Sequence, residues 1–378
     1  MPAISRQQGP IAVYGATGYT GRLVAAELAG AGADLVISGR NRRKLDDLAA
    51  ELDGEVTAEQ ATLDPASLRT LLADCSVVVN CAGPFVHFGE PVLAAAVETG
   101  THYLDTTGEQ LYMKMAFDRY GTAASEAQVA VVPAMGFDFV PGDMIASLTA
   151  AGMDEPDEIS IHYCWQGFTP SQGTARSALE IIGGGGVEWR DTAWVEVTGG
   201  ASAGAYEFPA PVGSQRMIRY PSGEQVTVPR HVRTRSVRTT MNASAFASER
   251  LGPLSAAMMR PVALAMRTPL KRLADAVISR LPEGPTDERR ERMRWMIVCE
   301  AKRGEMQRRG AISGKDVYGL TAAAVSHGAT LAARKGFDAR GALAPSQAFD
   351  PESFLGALDR FDVRWDVQGI EQLVPVGA

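Results

Sequence analysis

The sequence Ile11-Ala12-Val13-Tyr14-Gly15-Ala16-Thr17-Gly18-Tyr19-Thr20-Gly21 decides the fold of the first part of the chain. Its largely apolar start predicts a buried strand, and the glycines lead into an amphipathic stretch that is typical of a helix. Gly15 suits a tight turn, Gly18 a close approach of the backbone to a phosphate, and Gly21 the packing of helix against strand. This order predicts a dinucleotide-binding loop, although a plain glycine turn would share the same residues.

The whole loop is expected to contact a pyrophosphate through backbone N–H groups at the start of a helix. The hydroxyl groups of two threonines would add further donors. The predicted contact residues are Gly15, Ala16, Thr17, Gly18, Tyr19, Thr20 and Gly21.

The end of the next predicted strand indicates which dinucleotide is bound. An NAD site would place Asp or Glu about 20 residues beyond the glycines, where it accepts a hydrogen bond from the ribose 2′-hydroxyl. No carboxylate occurs there before Asp46, and Arg40 offers a guanidinium that suits a 2′-phosphate. We therefore expect NADPH, while a solvated helix start is the alternative for the basic residues. The predicted contacts here are Ser38, Gly39, Arg40 and Asn41.

Two further places belong to the predicted cofactor site, each with an ordinary structural alternative. Asp64 is expected either near the adenine or as the N-cap of a helix that starts at Pro65. The turn after the strand Val77–Asn80 is expected either to form a wall beside the nicotinamide or simply to connect strand and helix. Its residues are Cys81, Ala82, Gly83 and Pro84.

Strands and helices alternate over the first third of the chain, which predicts an α/β fold with a Rossmann-type, doubly wound parallel sheet. The predicted strands are Ile11–Tyr14, Leu35–Ser38, Val77–Asn80, His102–Asp105 and Val129–Pro133. The predicted helices are Arg22–Ala29, Arg43–Leu52, Ser67–Ala73, Pro91–Thr99 and Leu111–Ala127.

The pattern changes after about Asp143 and predicts a second, α+β domain with a mixed sheet. We expect an NADP-binding domain over 1–145, a substrate-binding and dimerisation domain over 146–315, and a segment 316–378 that packs back on the first. Glycines between Gly183 and Gly204 predict long connections. The strands predicted here are Ile159–Trp165, Trp194–Thr198, Gln225–Val228, Val232–Thr239 and Met293–Glu300, and a helix is predicted over Leu320–Ala333.

Composition limits the classes of function. The chain has 378 residues, 46% of them hydrophobic, and a net charge of −7, which argues against a nucleic-acid-binding protein. Its four cysteines are far apart, so neither a metal site nor a disulfide framework is expected. We find no apolar run long enough to span a membrane and no signal-peptide pattern, and we expect a cytoplasmic protein.

Residues for proton transfer lie in or after the last two predicted strands of the first domain, His102–Asp105 and Val129–Pro133. The YxxxK pattern of short-chain reductases is absent, because Ala116 stands four residues after Tyr112. The candidate catalytic residues are Tyr103, Asp105 and Asp138. Asp138 lies between two phenylalanines, where burial would raise the pKa of its carboxyl group. Helix caps or turns are the alternatives for both aspartates.

Seven stretches in order resemble the saccharopine dehydrogenase-like oxidoreductases, including the trans-acting enoyl reductases of actinobacterial lipid and polyketide synthesis. The resemblance implies a Rossmann domain, a second domain that also makes homodimer contacts, and NADP(H). The sequence departs from the familiar form GFDSxPSD, since Phe139 and Gly142 replace its serines. The stretches are GATGYTG at Gly15–Gly21, SGR at Ser38–Arg40, VNCAGPF at Val79–Phe85, GTHYLDTTGE at Gly100–Glu109, GFDFVPGD at Gly136–Asp143, SQGTARSA at Ser171–Ala178 and YGLTAA at Tyr318–Ala323.

The resemblance therefore implies an NADPH-dependent oxidoreductase that reduces a C=C bond of an acyl, lipid or polyketide-type substrate. A C=N reductase of the saccharopine-reductase type, a non-catalytic NADP(H) sensor and a lipid-surface protein remain alternatives. The segment Leu254–Leu281 bears on the last of these, because it is rich in Leu, Met and basic residues. We expect it either to contact a membrane peripherally or cap an acyl tunnel, or to be a core or dimer helix.

Overall fold

The structure, a computed structural model, describes residues 9–197, 201–245, 276–369 and 371–372. Contacts divide the chain into two units, Met1–Val140 with Tyr318–Phe349, and Pro141–Val317 with Asp350–Ala378. We predicted that all of 316–378 returns to the first unit, but the part from Asp350 onward groups with the second. The physical reason is a strand, Arg364–Val367, that pairs antiparallel with the strand Met306–Lys315 of the second unit.

The first unit contains a parallel sheet of seven strands. Ladders join all of them in the order β15-β6-β5-β4-β1-β2-β3, which confirms the predicted Rossmann-type sheet. The strands are β1 Ile11–Tyr14, β2 Leu35–Gly39, β3 Val56–Gln60, β4 Val77–Asn80, β5 His102–Asp105, β6 Ala130–Val132 and β15 Gly341–Ala342.

Helices connect these strands and cover the sheet. Every residue of β1, β2 and β4 is buried, as expected for parallel strands that are packed on both faces. The helices of this unit are α1 Tyr19–Gly30, α2 Arg42–Glu51, α3 Pro65–Leu72, α4 Phe85–Thr99, α5 Gln110–Glu126, α10 Val317–Ala332 and α11 Pro345–Ala348, and the first residue of α10 belongs to the second unit.

The start of α4 is the largest difference from the helices predicted here. The helix begins at Phe85, whereas the sequence predicts a start at Pro91, which lies inside it. Its first two backbone N–H groups are bound by the side chain of Glu109, 24 and 23 residues further along the chain. A contact of such range leaves no local sequence signal, so the proline was mistaken for the helix start.

The second unit contains a mixed sheet, as predicted. Its main strands follow the order β10-β11-β12-β7-β13-β14-β16, with β12 and β7 parallel and the other neighbours in this order antiparallel. The strands are β7 Glu158–Gln166, β8 Gly186–Arg190, β9 Ala193–Val197, β10 Ser202–Phe208, β11 Gly213–Arg219, β12 Ser236–Asn242, β13 Arg294–Arg303, β14 Met306–Lys315, β16 Arg364–Val367 and β17 Glu371–Gln372. The helices are α6 Val140–Ala150, α7 Gln172–Gly184, α8 Glu224–Thr227, α9 Asp287–Arg292 and α12 Pro351–Gly356.

Two predictions for this unit were wrong in their type of structure. Gln225–Val228 was predicted as a strand but lies mainly in the helix α8, whose four residues are all buried and so give no amphipathic signal. The connection predicted at Gly183–Gly186 is instead the end of α7 and the start of β8, which pairs antiparallel with β9, where the strand Trp194–Thr198 was predicted. The paired tryptophans Trp189 and Trp194 lie opposite each other in that ladder, with ring centroids 5.0 Å apart.

Most of the predicted amphipathic segment, residues 254–275, lies outside the described residues, so the structure does not address it. Within the described ranges, no helix is both long enough and apolar enough to cross a membrane.

Candidate cofactor and active site

The carboxyl ends of the seven parallel strands form one edge of the sheet, and most of the predicted site residues end these strands, follow them or open the next helix. The strand order reverses between β1 and β4, which is where a doubly wound sheet binds its ligand. We call residues 15–21 and 38–44, after β1 and β2, the adenosine half. Residues 81–88, 105–111 and 134–138, after β4, β5 and β6, are the nicotinamide half.

The glycine loop of the adenosine half is built for close backbone approach. Gly15 has φ +80°, and its N–H donates to the carbonyl of Ser38 at 2.9 Å. A Cβ atom on Gly21 would lie 2.2 Å from the carbonyl oxygen of Gly15. A side chain at that position would push α1 away from the loop, so both glycines have the roles that the sequence predicts.

The N-terminus of α1 differs from those of the next two helices. Gly18 occupies the N-cap position of α1 and, as a glycine, has no side chain that could cap the helix. Asn41 caps α2 by accepting from Lys44 N, and Asp64 caps α3 by accepting from two backbone N–H groups at 3.0 and 3.1 Å. The start of α1 is therefore open to an anionic ligand such as a pyrophosphate, whereas Asp64 has the cap role that was one of its two predicted alternatives.

An open groove of about 460 Å³ adjoins the glycine loop, and its lining is basic. Thr17, Arg40, Asn41 and Lys44 line it. Both cations are exposed, and neither pairs with a carboxylate of the described residues, whereas the neighbouring Arg42 pairs with Asp46 at 2.9 Å. Two uncompensated positive charges around one groove match the charge of a phosphate. Lys44 is a part of this site that the sequence analysis missed.

Two buried hydroxyl groups beneath this half provide an independent test of fit. Tyr14 is the last residue of β1, and Ser38 is the second-last residue of β2. Their hydroxyl groups have no hydrogen-bond partner within the described residues. Burial raises the pKa of the Tyr14 phenol, and the positive charge of Arg40 nearby lowers it. Because buried polar groups are normally hydrogen-bonded, these hydroxyls fit a site whose ligand supplies polar atoms.

The Tyr19 side chain has a packing role within the first unit. Its ring packs edge-on against Tyr318, at the start of α10, with centroids 5.2 Å apart. Both residues belong to the first unit. The Tyr19 side chain therefore anchors α1 against the returning segment, and a contact with the cofactor is left to its backbone.

The turn after β4 opens the nicotinamide half. Asn80 Oδ1 accepts a hydrogen bond from Ala82 N at 3.0 Å, and Cys81 N donates to the carbonyl of Tyr14 at 2.8 Å. Gly83 is exposed and Pro84 is half-buried. Burial raises the pKa of the Cys81 thiol to about 12, so the sulfur stays a neutral thiol at physiological pH.

Glu109 holds the helix that follows this turn. Its two carboxylate oxygens accept hydrogen bonds from Phe85 N at 2.9 Å and from Val86 N at 2.8 Å. The residue is only 2% exposed. The sequence analysis did not select Glu109 as a site residue, because its partners are far away in the sequence.

Two of the three predicted catalytic residues lie in the interior of the first unit. Tyr103 is fully buried, and its hydroxyl is 2.8 Å from that of Tyr112 and accepts from Asn80 Nδ2 at 3.2 Å. Asp105 is also fully buried, and it accepts from Thr107 N at 3.0 Å and from Ala134 N at 2.8 Å. The Tyr103 contacts connect β5 with β4 and α5, and the Asp105 contacts connect the end of β5 with the residues after β6. Both residues therefore have structural partners within the first unit.

Asp138 is the predicted catalytic residue that remains accessible. It is partly exposed, and burial raises the pKa of its carboxyl group to about 6. A Cβ atom on Gly108 would lie 3.2 Å from Asp138 Oδ2, so the carboxyl group sits against a stretch of bare backbone. The neighbouring Phe137 N donates to Thr321 Oγ1 at 2.9 Å, which links this turn to α10. Asp138 can thus carry a proton at neutral or mildly acidic pH.

A second group of buried polar residues lies in the second unit. Asp143 Oδ1 and His231 Nε2 are hydrogen-bonded at 2.8 Å. The Tyr163 hydroxyl donates a hydrogen bond to the Glu224 carboxyl group. Burial raises the pKa of Glu224 to about 8. A Cβ atom on Gly142 would lie 1.9 Å from Glu224 Oε1. Because glycine has no side chain, Gly142 leaves room for the Glu224 carboxyl group.

The helix α7 begins with an ordinary side-chain cap. Ser171 Oγ accepts from Thr174 N at 3.1 Å, at the beginning of α7. Among the residues that the structure describes, no group of three or more His, Cys, Asp or Glu could hold a metal ion.

The geometry of the first unit defines a dinucleotide-binding domain, and comparison with known proteins specifies its type. Residues 11–132 match the family model described as the saccharopine dehydrogenase NADP binding domain. Over these residues the chain is similar to the NADP-binding domain of that family. The predicted cofactor, NADP(H), and the predicted resemblance are both confirmed.

Curated relatives agree with this family assignment. A Mycobacterium tuberculosis protein, provisionally named a trans-acting enoyl reductase, is 35% identical over 187 residues, which cover 46% of this chain and 44% of that protein. The human saccharopine dehydrogenase-like oxidoreductase is 28% identical over 196 residues, or 46% of each chain. The matched region spans less than half the length of these relatives.

A solved structure confirms the fold of the whole chain. Apo saccharopine dehydrogenase (L-Glu forming) from Saccharomyces cerevisiae matches 96% of this chain and 100% of its own, with a TM-score of 0.56 and 14% identity. At this identity the likeness shows the fold alone.

Proposed function

We propose that the protein is an NADPH-dependent oxidoreductase that reduces a carbon–carbon double bond of an acyl, lipid or polyketide-type substrate. The observation that carries the proposal is the Asp138 carboxyl group, partly exposed beside the nicotinamide half, with its pKa raised to about 6. An NADP-binding domain with a protonated acid at this edge has the two parts that a reduction requires, a hydride source and a proton source.

The cofactor, when bound, supplies a hydride to the electrophilic carbon of the double bond. The protein's own task is then to protect, orient and protonate the substrate. In this proposal Asp138 donates a proton to the neighbouring carbon from its carboxyl group, and the resulting carboxylate regains a proton from solvent. Backbone N–H groups at the start of α1, together with Arg40 and Lys44, hold the phosphates.

An uncharged substrate suits the nicotinamide half better than a dicarboxylate. Val86 is 42% exposed and Leu111 is 41% exposed, so two large apolar side chains of this half face solvent. Asp105, Glu109 and Asp138 all follow the strands of this half. Apolar surface next to carboxyl groups favours an acyl chain and disfavours an amino-acid imine with negative charges, which supports C=C over C=N reduction. The trans-acting enoyl reductase names of relatives support the same choice.

The test is NADPH consumption, followed by absorbance, with two substrate panels. The first contains α,β-unsaturated acyl thioesters of increasing chain length, and the second contains imines formed from an amino acid and a 2-oxo acid. We expect turnover with the thioesters that increases with chain length. Turnover only with the imines would assign the saccharopine-type reaction, and tight NADPH binding without turnover on either panel would assign the sensor function.

The homodimer and the peripheral lipid contact of residues 254–281 stay predictions. Flotation with anionic liposomes at low and high salt tests the lipid contact, since binding through basic residues weakens as salt increases. Absence from the lipid fraction at low salt would reject it.

A further inference from the structure

We infer that Glu109 is a positioning residue of the cofactor site, which holds the Gly83–Pro84 turn in the conformation that receives the nicotinamide ring. The inference rests on the proposed use of NADPH for hydride transfer. It concerns how the ring is placed, which none of the comparisons addresses.

The Glu109 carboxylate makes two contacts with the start of α4. Glu109 binds Phe85 N and Val86 N, the first two residues of α4, and these directly follow Pro84. The N-terminal N–H groups of a helix have no partners within the helix. A buried carboxylate that accepts from two of them fixes both the helix start and the direction of the preceding turn.

Glu109 also lies between three elements. Its N–H donates to Thr107 Oγ1 at 3.0 Å, and its carbonyl accepts from Met113 N at 3.1 Å in the first turn of α5. One residue therefore connects the loop after β5, the start of α5 and the start of α4. The turn of the nicotinamide half is set by the end of the neighbouring strand and not only by its own sequence.

The N-termini of α1 and α4 differ in their caps. Both helices start at the same edge of the sheet, but α1 has no side-chain cap from Gly18, whereas α4 carries an internal carboxylate. Glu109 occupies the position at which an anionic ligand would bind the α4 N-terminus. Phosphates are thus directed to α1, and the start of α4 presents a fixed, uncharged backbone to the ring.

The experiment compares two ligands that share the adenosine half. NADPH contacts both halves, while 2′,5′-ADP contains only the adenosine part with its phosphates. In Glu109→Gln, the amide NH₂ would face a backbone N–H donor and one charge-assisted hydrogen bond would be lost. We expect the Kd for NADPH to increase about tenfold and the Kd for 2′,5′-ADP to change by less than about twofold. Isothermal titration measures both.

Asp350→Asn is the matched control. Asp350 also caps a helix through its carboxylate, accepting from Ser353 N at 3.0 Å, but it lies in the second unit. We expect this variant to leave both dissociation constants within about twofold of the wild type.

A selective loss of NADPH affinity supports the inference, because a merely structural role would weaken both ligands or neither. Equal losses for the two ligands, or no loss for either, would overturn it. If Glu109→Gln does not yield folded protein, the same two dissociation constants are measured for Glu109→Asp. This variant keeps the carboxylate, but its side chain is one methylene shorter and no longer reaches both N–H groups. Because both measurements are binding equilibria, a failure to find an enoyl substrate would not affect them.

Discussion

The adenosine half and the nicotinamide half lie on the same edge of one parallel sheet, but they are built in opposite ways. In the adenosine half, Arg40 and Lys44 are exposed around a groove, with no carboxylate partner in the described residues. In the nicotinamide half, the carboxyl groups of Asp105 and Glu109 are buried and bound to backbone N–H groups. The first half holds charges ready for a ligand, and the second uses its charges to hold its own backbone.

This difference decides what each half can do. Exposed cations and an uncapped helix start bind the phosphates of a dinucleotide strongly but without chemistry. Buried carboxyl groups have raised pKa values, about 7 for Asp105 and about 6 for Asp138, because burial disfavours their charged forms. Under the proposed function, phosphate binding would therefore rest mainly on the adenosine half, and proton transfer on Asp138 of the nicotinamide half.

The largest effect is expected at Asp138. Asp138→Asn keeps the shape of the side chain but removes the acidic proton, so kcat should fall about 100-fold, the lower end of typical general-acid contributions. The Kd for NADPH should stay unchanged. In the wild type, kcat should also decrease as the pH rises above about 6, since the protonated carboxyl group is the active form.

Tyr112→Phe is the control for this substitution. It removes only the buried Tyr112 hydroxyl group, which lies 2.8 Å from the Tyr103 hydroxyl. Because no YxxxK pattern is present, we expect turnover within about threefold of the wild type. Stopped-flow measurements of NADPH oxidation separate chemistry from binding. Unchanged kinetics in Asp138→Asn would make Asp138 a structural residue and remove the chemical difference between the two halves.

The next effect is expected at Gly21 in the adenosine half. Gly21→Ala places a methyl group 2.2 Å from a backbone oxygen, so α1 must move and the phosphate site with it. We expect a loss of about 1–3 kcal/mol in the free energy of unfolding, together with a marked increase in the Kd for NADPH. Thermal unfolding and titration measure the two effects.

Gly30 supplies the matched control within the same helix. A Cβ atom at Gly30 would meet nothing within 4 Å, so Gly30→Ala should retain both stability and NADPH affinity. Equal behaviour of the two alanine variants would show that the close packing of α1 on the loop has no part in binding.

The smallest effect concerns the pH dependence of stability at Asp105. Its pKa is raised from 3.8 to about 7 in the folded protein, so the folded state binds more protons than the unfolded state between these values. The free energy of unfolding should therefore decrease as the pH rises from about 4 to about 7. We expect this decrease to be about 1–2 kcal/mol smaller in Asp105→Asn, in which the side-chain oxygen still accepts from the same N–H groups.

Denaturant unfolding at several pH values measures this difference. If wild type and Asp105→Asn show the same pH profile, the Asp105 carboxyl group is not the group that titrates. Arg42→Ala in the adenosine half should leave the slope unchanged, since Arg42 is exposed and pairs with Asp46, not with Asp105.

The two halves also differ in how far they could be predicted from the sequence. The glycine loop and Arg40 follow their strands directly, so spacing along the chain was sufficient to find them. Glu109 binds backbone groups 24 and 23 residues away, and Thr321 binds Phe137 N from 184 residues away. Motif spacing carries no information about such contacts, so the partners of Tyr103 and the early start of α4 were missed. A turn role for Asp105 was among its predicted alternatives, because its contact with Thr107 N is local.

The second unit shows the same limit in its fold. The long, largely buried strands β7 and β13 were predicted to within a few residues of their ends, because each contains a continuous run of mainly apolar residues. The short helix α8 is buried on all sides and was mistaken for a strand. The room for its Glu224 side chain beside Gly142 depends on contact between distant segments, which a single sequence does not display.

The most direct test of the account is the dissociation constant of NADPH and of NADH for the wild type, for Arg40→Ala and for Arg42→Ala. We expect the wild type to prefer NADPH, and Arg40→Ala to weaken NADPH by about 1–3 kcal/mol while leaving NADH nearly unchanged, because only NADPH carries the 2′-phosphate. Arg42, already paired with Asp46, should have little effect on either cofactor. Equal losses of NADPH and NADH affinity in Arg40→Ala would contradict the account.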